Sequence, residues 1–443
     1  MGTSKLHRRR TEFDVLIGGA GIAASAVAVR LCTLGFRPLI LATQSRILSG
    51  VEAIPESVVP LFEELGMRHI LRQANGLVTE GFENHWRSGE PALRPGRWIH
   101  VERARLAAAA VRHAVDCGAV LRLCESIPKL AGSGPICVNH GGMRLSFEAA
   151  IDATGRSAVW SRPIRRRGGQ VADIFMSSPQ PSPRGRVVRL SQGWAYRIGS
   201  KNSATVAMLG ERIARRRVPD VSTRKALGLI SEQIGYIGRR PAFPQWSENP
   251  IRGRRIAIGD AALAYDPLAG QGIHFALSSA FGASAVINTW HHSPGDAVAA
   301  ERFYLECVTQ SRSRHLRFLD ELHSTGKGGE RASLLLPEVV IFSGKTLPVD
   351  LHVNSRIVSG LAVILADGTP VRWVGGLDLL RIRDLTRKPV RSADLLRQLV
   401  SANLTSLQAA ALLDWCVRHE LVSAASAVSP WRLAETAADN APT

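Results

Sequence analysis

Residues 13–43 read FDVLIGGAGIAASAVAVRLCTLGFRPLILAT. Val15–Ile17 is a short apolar run of strand character, and a glycine turn follows it. An Ala/Val-rich helix then extends to about Leu34, Gly35 stops it, and Pro38–Leu41 makes the next strand. Strand, helix and strand at this spacing form the unit of a parallel sheet.

Within the turn, Gly19-Ala20-Gly21-Ile22-Ala23-Ala24 is GxGxxA, with a strand before it and a helix after it. That is the setting a dinucleotide fingerprint requires. The first glycine permits the tight turn, and the second lets the backbone approach a pyrophosphate. The small Ala24 lets helix and strand pack, and the helix N-terminus faces the negative charge. One element departs from the pattern. The acidic residue that grips the adenosine ribose should end the second strand, where this chain has Ala42-Thr43-Gln44. Thr43 or Gln44 must hold the ribose, or the site is weaker than usual.

Three further segments share this strand-end character. VERARL (101–106) opens an Ala-rich helix that ends at Gly118, with the strand AVLRL behind it. IDATGR (151–156) puts Asp152 and Gly155 after an apolar run. RRIAIGD (254–260) ends in Asp260, and ALAYDPLAGQG leads into a helix from Gly272 to about Trp290. Residues 160–250 are rich in Arg, Pro and Gly with short β-like runs (RVVRL, WAYRI, ATVAML), which suits an inserted sheet. A helix over 297–323 follows. A Gly-rich linker near Lys327–Glu330 then leads to a hairpin around Asp367-Gly368 and two helical segments, SADLLRQLVSAN and SLQAAALLDWCVRHEL.

The bounds agree with a globular α/β protein. The chain has 443 residues, 45% hydrophobic and 21% charged, which allows about two or three domains with sizeable cores. Its net charge of +19 favours acidic partners. The basic residues are scattered, with short clusters at Arg8–Arg10, Arg165–Arg167 and Arg215–Arg217, which argues against nucleic acid. The six cysteines form no CxxC pair and no metal-ligand spacing, and read as thiols in a reducing compartment. No apolar run reaches membrane-spanning length. HRRRTEF followed by VLIGGAGIAASAVAV imitates an export signal, but Glu12 and Asp14 interrupt it and the strand-turn-helix reading is preferred. The expected address is the cytoplasm.

In this order, GGAGIAA, VERARL, IDATGR and GDAALAYDPLAGQG resemble the FAD-dependent aromatic hydroxylase and halogenase superfamily, with its p-hydroxybenzoate hydroxylase-like fold, over about residues 12–320. The resemblance implies a Rossmann-like FAD-binding domain (1–80, 98–160 and 251–325) that is discontinuous. An inserted β-sheet substrate domain would cover 81–97 and 161–250. A small C-terminal α/β module of hairpin and helices would span 331–425, with a flexible tail at 426–443. It also implies the site. Gly19, Gly21 and Ala24 would line the FAD pyrophosphate, Thr43 would face the ribose, and Arg103 and Gly155 would contact the cofactor. Asp260 would accept a hydrogen bond from a ribityl hydroxyl. Pro267, Gly270, Gln271, Gly272 and Ile273 would lie against the flavin ring, where free helix N–H groups suit the charge of a reduced flavin.

Such enzymes pass oxygen from a flavin hydroperoxide to an electron-rich ring, or use it to make hypohalous acid. Flavin halogenases carry WxWxIP and a capturing lysine. Here WAYRIG (194–199) stands at the matching place. SGVEAIPESVVPLFEELG (49–66) resembles their GExxxP helix start, but no lysine follows until Lys129. Halogenation thus loses its key residue. The halogenase-like branch also holds flavoproteins that modify a tryptophan within a partner protein, maturing tryptophylquinone cofactors of amine dehydrogenases. The missing lysine, the appended module and the +19 charge lean that way. The implied partners are a protein substrate carrying the tryptophan, O2, and NAD(P)H or a separate flavin reductase. Glu52, Trp194, Tyr196 and His274 are the catalytic candidates, each with a packing or helix-start role as the alternative. His100 reads more readily as a hydrogen-bonded structural residue. The rivals are a small-molecule aromatic hydroxylase, a halogenase, a geranylgeranyl-reductase-like enzyme, and a flavin-binding regulator. The regulator would use the C-terminal module as a winged helix, but the last helical segment offers only Arg418 as a cation.

Overall fold

The computed structural model describes residues 12–44, 50–86, 92–130, 136–140, 142–179, 184–191, 193–210, 219–229, 234–323, 337–353, 355–374, 377–401 and 406–425. The expected linker at 327–330 and the tail at 426–443 lie outside them. The chain divides into two compact units. The first takes residues up to 297 together with 304–320, and the second takes 298–303 and the rest from 321.

The first unit begins with the expected β-α-β. Val15–Gly18 pairs in parallel with Pro38–Thr43 on one side and Ala149–Asp152 on the other. Val120–Cys124 and Arg255–Ala257 extend the sheet in parallel, and Ile251–Arg252 closes one edge antiparallel. All four residues of Val15–Gly18 and of Ala149–Asp152 are buried, as central parallel strands covered on both faces must be. One face is covered by the helix Ile22–Thr33, which packs on Arg103–Asp116 and Gly272–His292. The other face is covered by the hairpin Ile136–His140/Met143–Phe147, whose Ile136, Val138, Leu145 and Phe147 join Leu16, Leu39 and Leu41 in one core.

A second, eight-stranded sheet completes this unit. Its order is 234–241, 171–177, 204–210, 193–199, 185–190, 77–85, 92–102 and 51–55. Only the join between Gly185–Leu190 and Leu77–His85 is parallel. The alternation along each strand gives the sheet two faces. Phe175, Val188, Ala195, Val206 and Met208 form one core with Leu227, just beyond the short helix Val221–Ala226. Ala172, Trp194, Ala207, Leu209 and Ala242 form a core on the opposite face, with Tyr196 and Leu268 packed against it. This second face is the one that meets the candidate site.

The second unit packs Leu379–Leu385, Ser392–Val400 and Ser406–Arg418 around one apolar cluster with a three-stranded sheet, in the order 390–391, 339–342, 422–424. The Asp367-Gly368 turn exists, with Gly368 at φ +80° and Val363–Ile364 paired to Pro370–Val371. The longer hairpin lies upstream, where Lys345–Val353 pairs along its whole length with Arg356–Ile364. The Asp-Gly turn therefore closes only a short second arm.

Candidate functional site

The glycine turn is built as its residue types demand. Gly19 has φ +101°, and a Cβ there would stand 2.3 Å from the Ala153 carbonyl oxygen. The Gly19 N–H donates to the Leu41 carbonyl at 2.8 Å, and the Ala153 N–H donates to the Gly18 carbonyl at 2.9 Å. The ends of three adjacent strands are thereby tied together at this turn. Gly21 sits at the N-cap of the helix Ile22–Thr33, where no side chain caps it and a Cβ would meet nothing within 4 Å. The result is an open helix N-terminus with free amides and a positive dipole end. Ala24 is fully buried, and its neighbour Ala23 approaches within 2.9 Å of the place a Gly259 Cβ would take. Thr43 is partly buried at the end of the next strand, and Gln44 beside it is exposed.

The second strand end is held by a buried carboxylate. Asp152, 1% exposed, accepts hydrogen bonds from the Thr154 N–H (3.1 Å) and hydroxyl (2.6 Å), the Trp160 N–H (2.7 Å) and the Ser161 hydroxyl (2.7 Å). It fixes the loop rather than facing a ligand. Gly155, at φ +64°, turns the chain so that Arg156 donates to the carbonyls of Phe243 (2.7 Å) and Tyr265 (3.0 Å). The Arg156 guanidinium also lies 3.9 Å from Asp260.

Asp260 follows Gly259, whose N–H donates to the Ser279 hydroxyl at 2.9 Å. Its carboxylate keeps 39% of its surface accessible, yet protein atoms crowd round it as they do in a concave wall. That desolvation raises its pKa against the pull of Arg156 and Arg103, and Glu52 adds to the rise. Arg103, the first residue of its helix, pairs with Glu52 at 3.0 Å, and Glu52 is the main cause of its raised pKa. Burial pushes the Tyr196 phenol up to about 12, with Glu52 acting in the same sense. Glu52, Arg103, Tyr196, Arg156 and Asp260 are thus one electrostatic cluster. Arg240 joins it, its pKa lowered by burial and then by Arg103.

The DPLAGQG segment forms a second open turn. Asp266 caps Pro267–Ala269, accepting from the Leu268 N–H at 2.9 Å, and Gly270 follows at φ +62°. The Asp266 N–H donates to Nε2 of His315 at 3.0 Å. His315 is 3% exposed, and burial pushes its pKa down to about 4, so the ring is neutral with its proton on Nδ1. Pro267, Gly270, Gln271 and Gly272 are exposed, Ile273 is partly buried, and no side chain caps the helix Gly272–His292. Neither Gly270 nor Gly272 has an atom within 4 Å of a Cβ position.

The remaining candidates fall in different places. Trp194 is 5% exposed in the core of the sheet face, its ring 5.7 Å from that of Tyr196. With the Gln170 amide oriented to match its neighbours, Trp194 Nε1 donates to it at 2.8 Å, and Gln170 donates to Asp266 at 2.9 Å. A strap therefore runs from the aromatic face to the DPLAGQG turn. His274 is exposed in the first helical turn, its pKa lowered by the protein atoms crowding it and then by Arg314. It shares no described contact with the Glu52–Asp260 cluster. His100 is fully buried, with Nδ1 2.8 Å from the Gly199 carbonyl and Nε2 3.3 Å from the Thr79 hydroxyl. Sequence reading assigned no role to Arg156, Gln170, Arg240 or His315. Arg156 closes the IDATGR motif and had a local signal, whereas the other three are recognised only through strand register and long-range contacts.

No family model matches the chain. A tryptophan 2-halogenase of Chondromyces crocatus is 22% identical over 350 residues, which are 66% of this chain and 64% of that protein's length. The structure of CmlS, a flavin-dependent halogenase, superposes with a TM-score of 0.71 at 14% identity, covering 93% of this chain and 96% of CmlS. The fold is thus the one seen in flavin-dependent halogenases. The peptidyl tryptophan dihydroxylase QhpG, essential for tryptophylquinone cofactor biogenesis, shares it as well. Its TM-score is 0.65 at 21% identity, over 93% of this chain and all of QhpG.

Proposed function

We propose that this chain is an FAD-dependent monooxygenase that oxygenates an aromatic ring, and that the ring is a tryptophan side chain of a partner protein. The observation that carries the flavin is the pair of open glycine turns at the starts of two helices packed on each other, Ile22–Thr33 and Gly272–His292. Both N-termini lack a side-chain cap and both have room where a side chain would stand, so the residues present fit an extended dinucleotide. Gly19 and Gly21 would hold the pyrophosphate, Thr43 the ribose side, and Asp260 a ribityl hydroxyl. Pro267, Gly270, Gln271, Gly272 and Ile273 would face the ring system.

Bound reduced FAD would supply the electrons that activate O2 for transfer to an electron-rich ring. The protein's own contribution is placement. Trp194 and Tyr196 offer an aromatic wall, and the Tyr196 phenol stays protonated through the neutral range. The Glu52–Arg103 pair holds charge beside Tyr196, and the apolar sheet face would help to keep water from the bound flavin. NAD(P)H or a separate reductase would deliver the electrons.

Hydroxylation is favoured over halogenation because the cations acting on the cluster are arginines. Lys129, Lys201 and Lys225, the described lysines of this unit, are all exposed. CmlS and QhpG cover equal shares of this chain, so the fold does not divide the two chemistries and the side chains must. The protein-substrate reading is supported by the likeness to QhpG and by the +19 charge, which suits an acidic partner. No described helix is long and apolar enough to cross a membrane.

Mass spectrometry of the proteins encoded beside this one, with and without it, tests the reading. A tryptophan gaining the mass of one or two oxygen atoms is expected. A halogen-for-hydrogen exchange would assign halogenation instead. Oxygen uptake coupled only to a free aromatic compound would assign a small-molecule hydroxylase.

A further inference from the structure

Two arginines stand side by side in the strand Ile234–Pro241, and the period of two sends them to opposite faces of the large sheet. Arg239 is fully engaged: its Nε and Nη2 donate to the two carboxylate oxygens of buried Asp173 at 2.7 and 2.6 Å. Arg240 lies opposite Ala172, which lies opposite Leu209, which lies opposite Trp194. One row of side chains thus runs across the sheet on the face that carries Trp194 and Tyr196. The Arg240 side chain is partly buried there, and among the described residues no hydrogen bond or ion pair meets its guanidinium. Its electrostatic neighbours are Arg103, Glu52 and Tyr196.

A guanidinium cannot shed its proton, and none of the Arg240 nitrogens is among the buried unpartnered atoms of the described residues, so its donors stay open to an acceptor that arrives. Glu52 is already committed to Arg103 at 3.0 Å, and the Tyr196 phenol is neutral. Of the charged groups that act on Arg240 itself, Arg103 is a second cation and Glu52 is the carboxylate. The surplus is one positive charge. In the reading above, the cofactor's anionic parts are met by the helix ends at Gly21 and Gly272, not by this strand.

We infer that Arg240 is a recognition residue for a carboxylate carried beside the aromatic ring of the substrate, an inference that rests on the oxygenase reading. The guanidinium fork matches a carboxylate in two parallel hydrogen bonds. The carboxylate is either part of an aromatic acid or an acidic side chain next to the target tryptophan in a protein.

The test is calorimetric titration of the purified protein, its FAD content measured beforehand. One ligand pair is indole-3-acetate and its neutral isostere indole-3-acetamide. The other is a short tryptophan peptide flanked by aspartates and the same peptide flanked by asparagines. In at least one pair the acid should bind about tenfold or more tightly than the amide. Arg240→Gln should bring that ratio close to one with FAD content unchanged, and Arg240→Lys should keep part of it. Preference in the indole pair alone assigns the carboxylate to a free acid, and preference in the peptide pair assigns it to a neighbouring residue. Equal or absent binding in both pairs overturns the inference, as does a ratio that survives Arg240→Gln. Loss of FAD in Arg240→Gln also overturns it, because the guanidinium then serves the cofactor. A wild-type protein that takes up no FAD but still prefers the acid would instead keep Arg240 in this role and remove the flavin reading.

Discussion

Asp260 and Asp152 are both carboxylates at strand ends of one sheet, and the structure surrounds them differently. Asp152 spends its oxygens on four donors of its own loop, whereas Asp260 leaves a large part of its carboxylate accessible and feels the charges of Arg156 and Arg103. Asp260→Ala should therefore weaken FAD retention about tenfold or more while leaving the thermal unfolding transition nearly in place. Flavin released on gel filtration measures this, and full retention would refute the role. His315 allows a prediction in pH. Its folded pKa is about 4 against an ordinary value of 6.5, so between those values the unfolded chain takes up a proton that the native ring refuses. Stability is then present above pH 6.5 and is lost as pH falls toward 4, by roughly 3 kcal/mol in all. Denaturant titrations across that range should show His315→Gln with a shallower loss than the parent, and identical slopes would contradict the assignment. The glycines and Asp260 were legible in the sequence because backbone geometry and strand-end chemistry are written in residue type. Arg240 was not. Nothing local separates it from Arg239, and the face each takes depends on strand register with Ala172 and Asp173.

The site is assembled by elements that end at the same place. The helices Ile22–Thr33 and Gly272–His292 pack on each other, with Gly259 of the preceding turn close to Ala23 of the first and Ala276 of the second, and both open at turns without caps. The Trp194–Gln170–Asp266 strap then ties the large sheet to the turn before the second helix. Gln170→Leu should cost about 1–3 kcal/mol, because a buried indole N–H loses its acceptor, and should also change how substrate binding perturbs the flavin spectrum. A variant with parental stability would show the strap to be incidental. The β-α-β, the Ala-rich helix and the long helix after Gly272 were all readable from periodicity and glycine stops. In the second unit the strand Lys345–Val353 and the helix Leu379–Leu385 were not. The first has no turn signal as strong as Asp-Gly. The second is short and announced only by the cap of Asp378, which accepts from the Leu380 N–H at 2.9 Å.

At the scale of the molecule, one unit carries both open turns, the charged cluster and the aromatic face. The surplus of arginine over acidic residues that the sequence shows becomes specific there, where Arg240 and Arg103 share the carboxylate of Glu52. The cofactor was legible because the contacts proposed for it are mostly backbone and therefore spelled by glycine. The substrate was far less so, since the aromatic wall proposed for Trp194 and Tyr196 would suit any flat ring. The central claim is the split flavin site, and the most direct measurement is the cofactor content of the purified protein. The account predicts a yellow protein with flavin absorption bands, releasing FAD in near-stoichiometric amount on denaturation or taking it up on reconstitution. A colourless protein that cannot be reconstituted with FAD would contradict it.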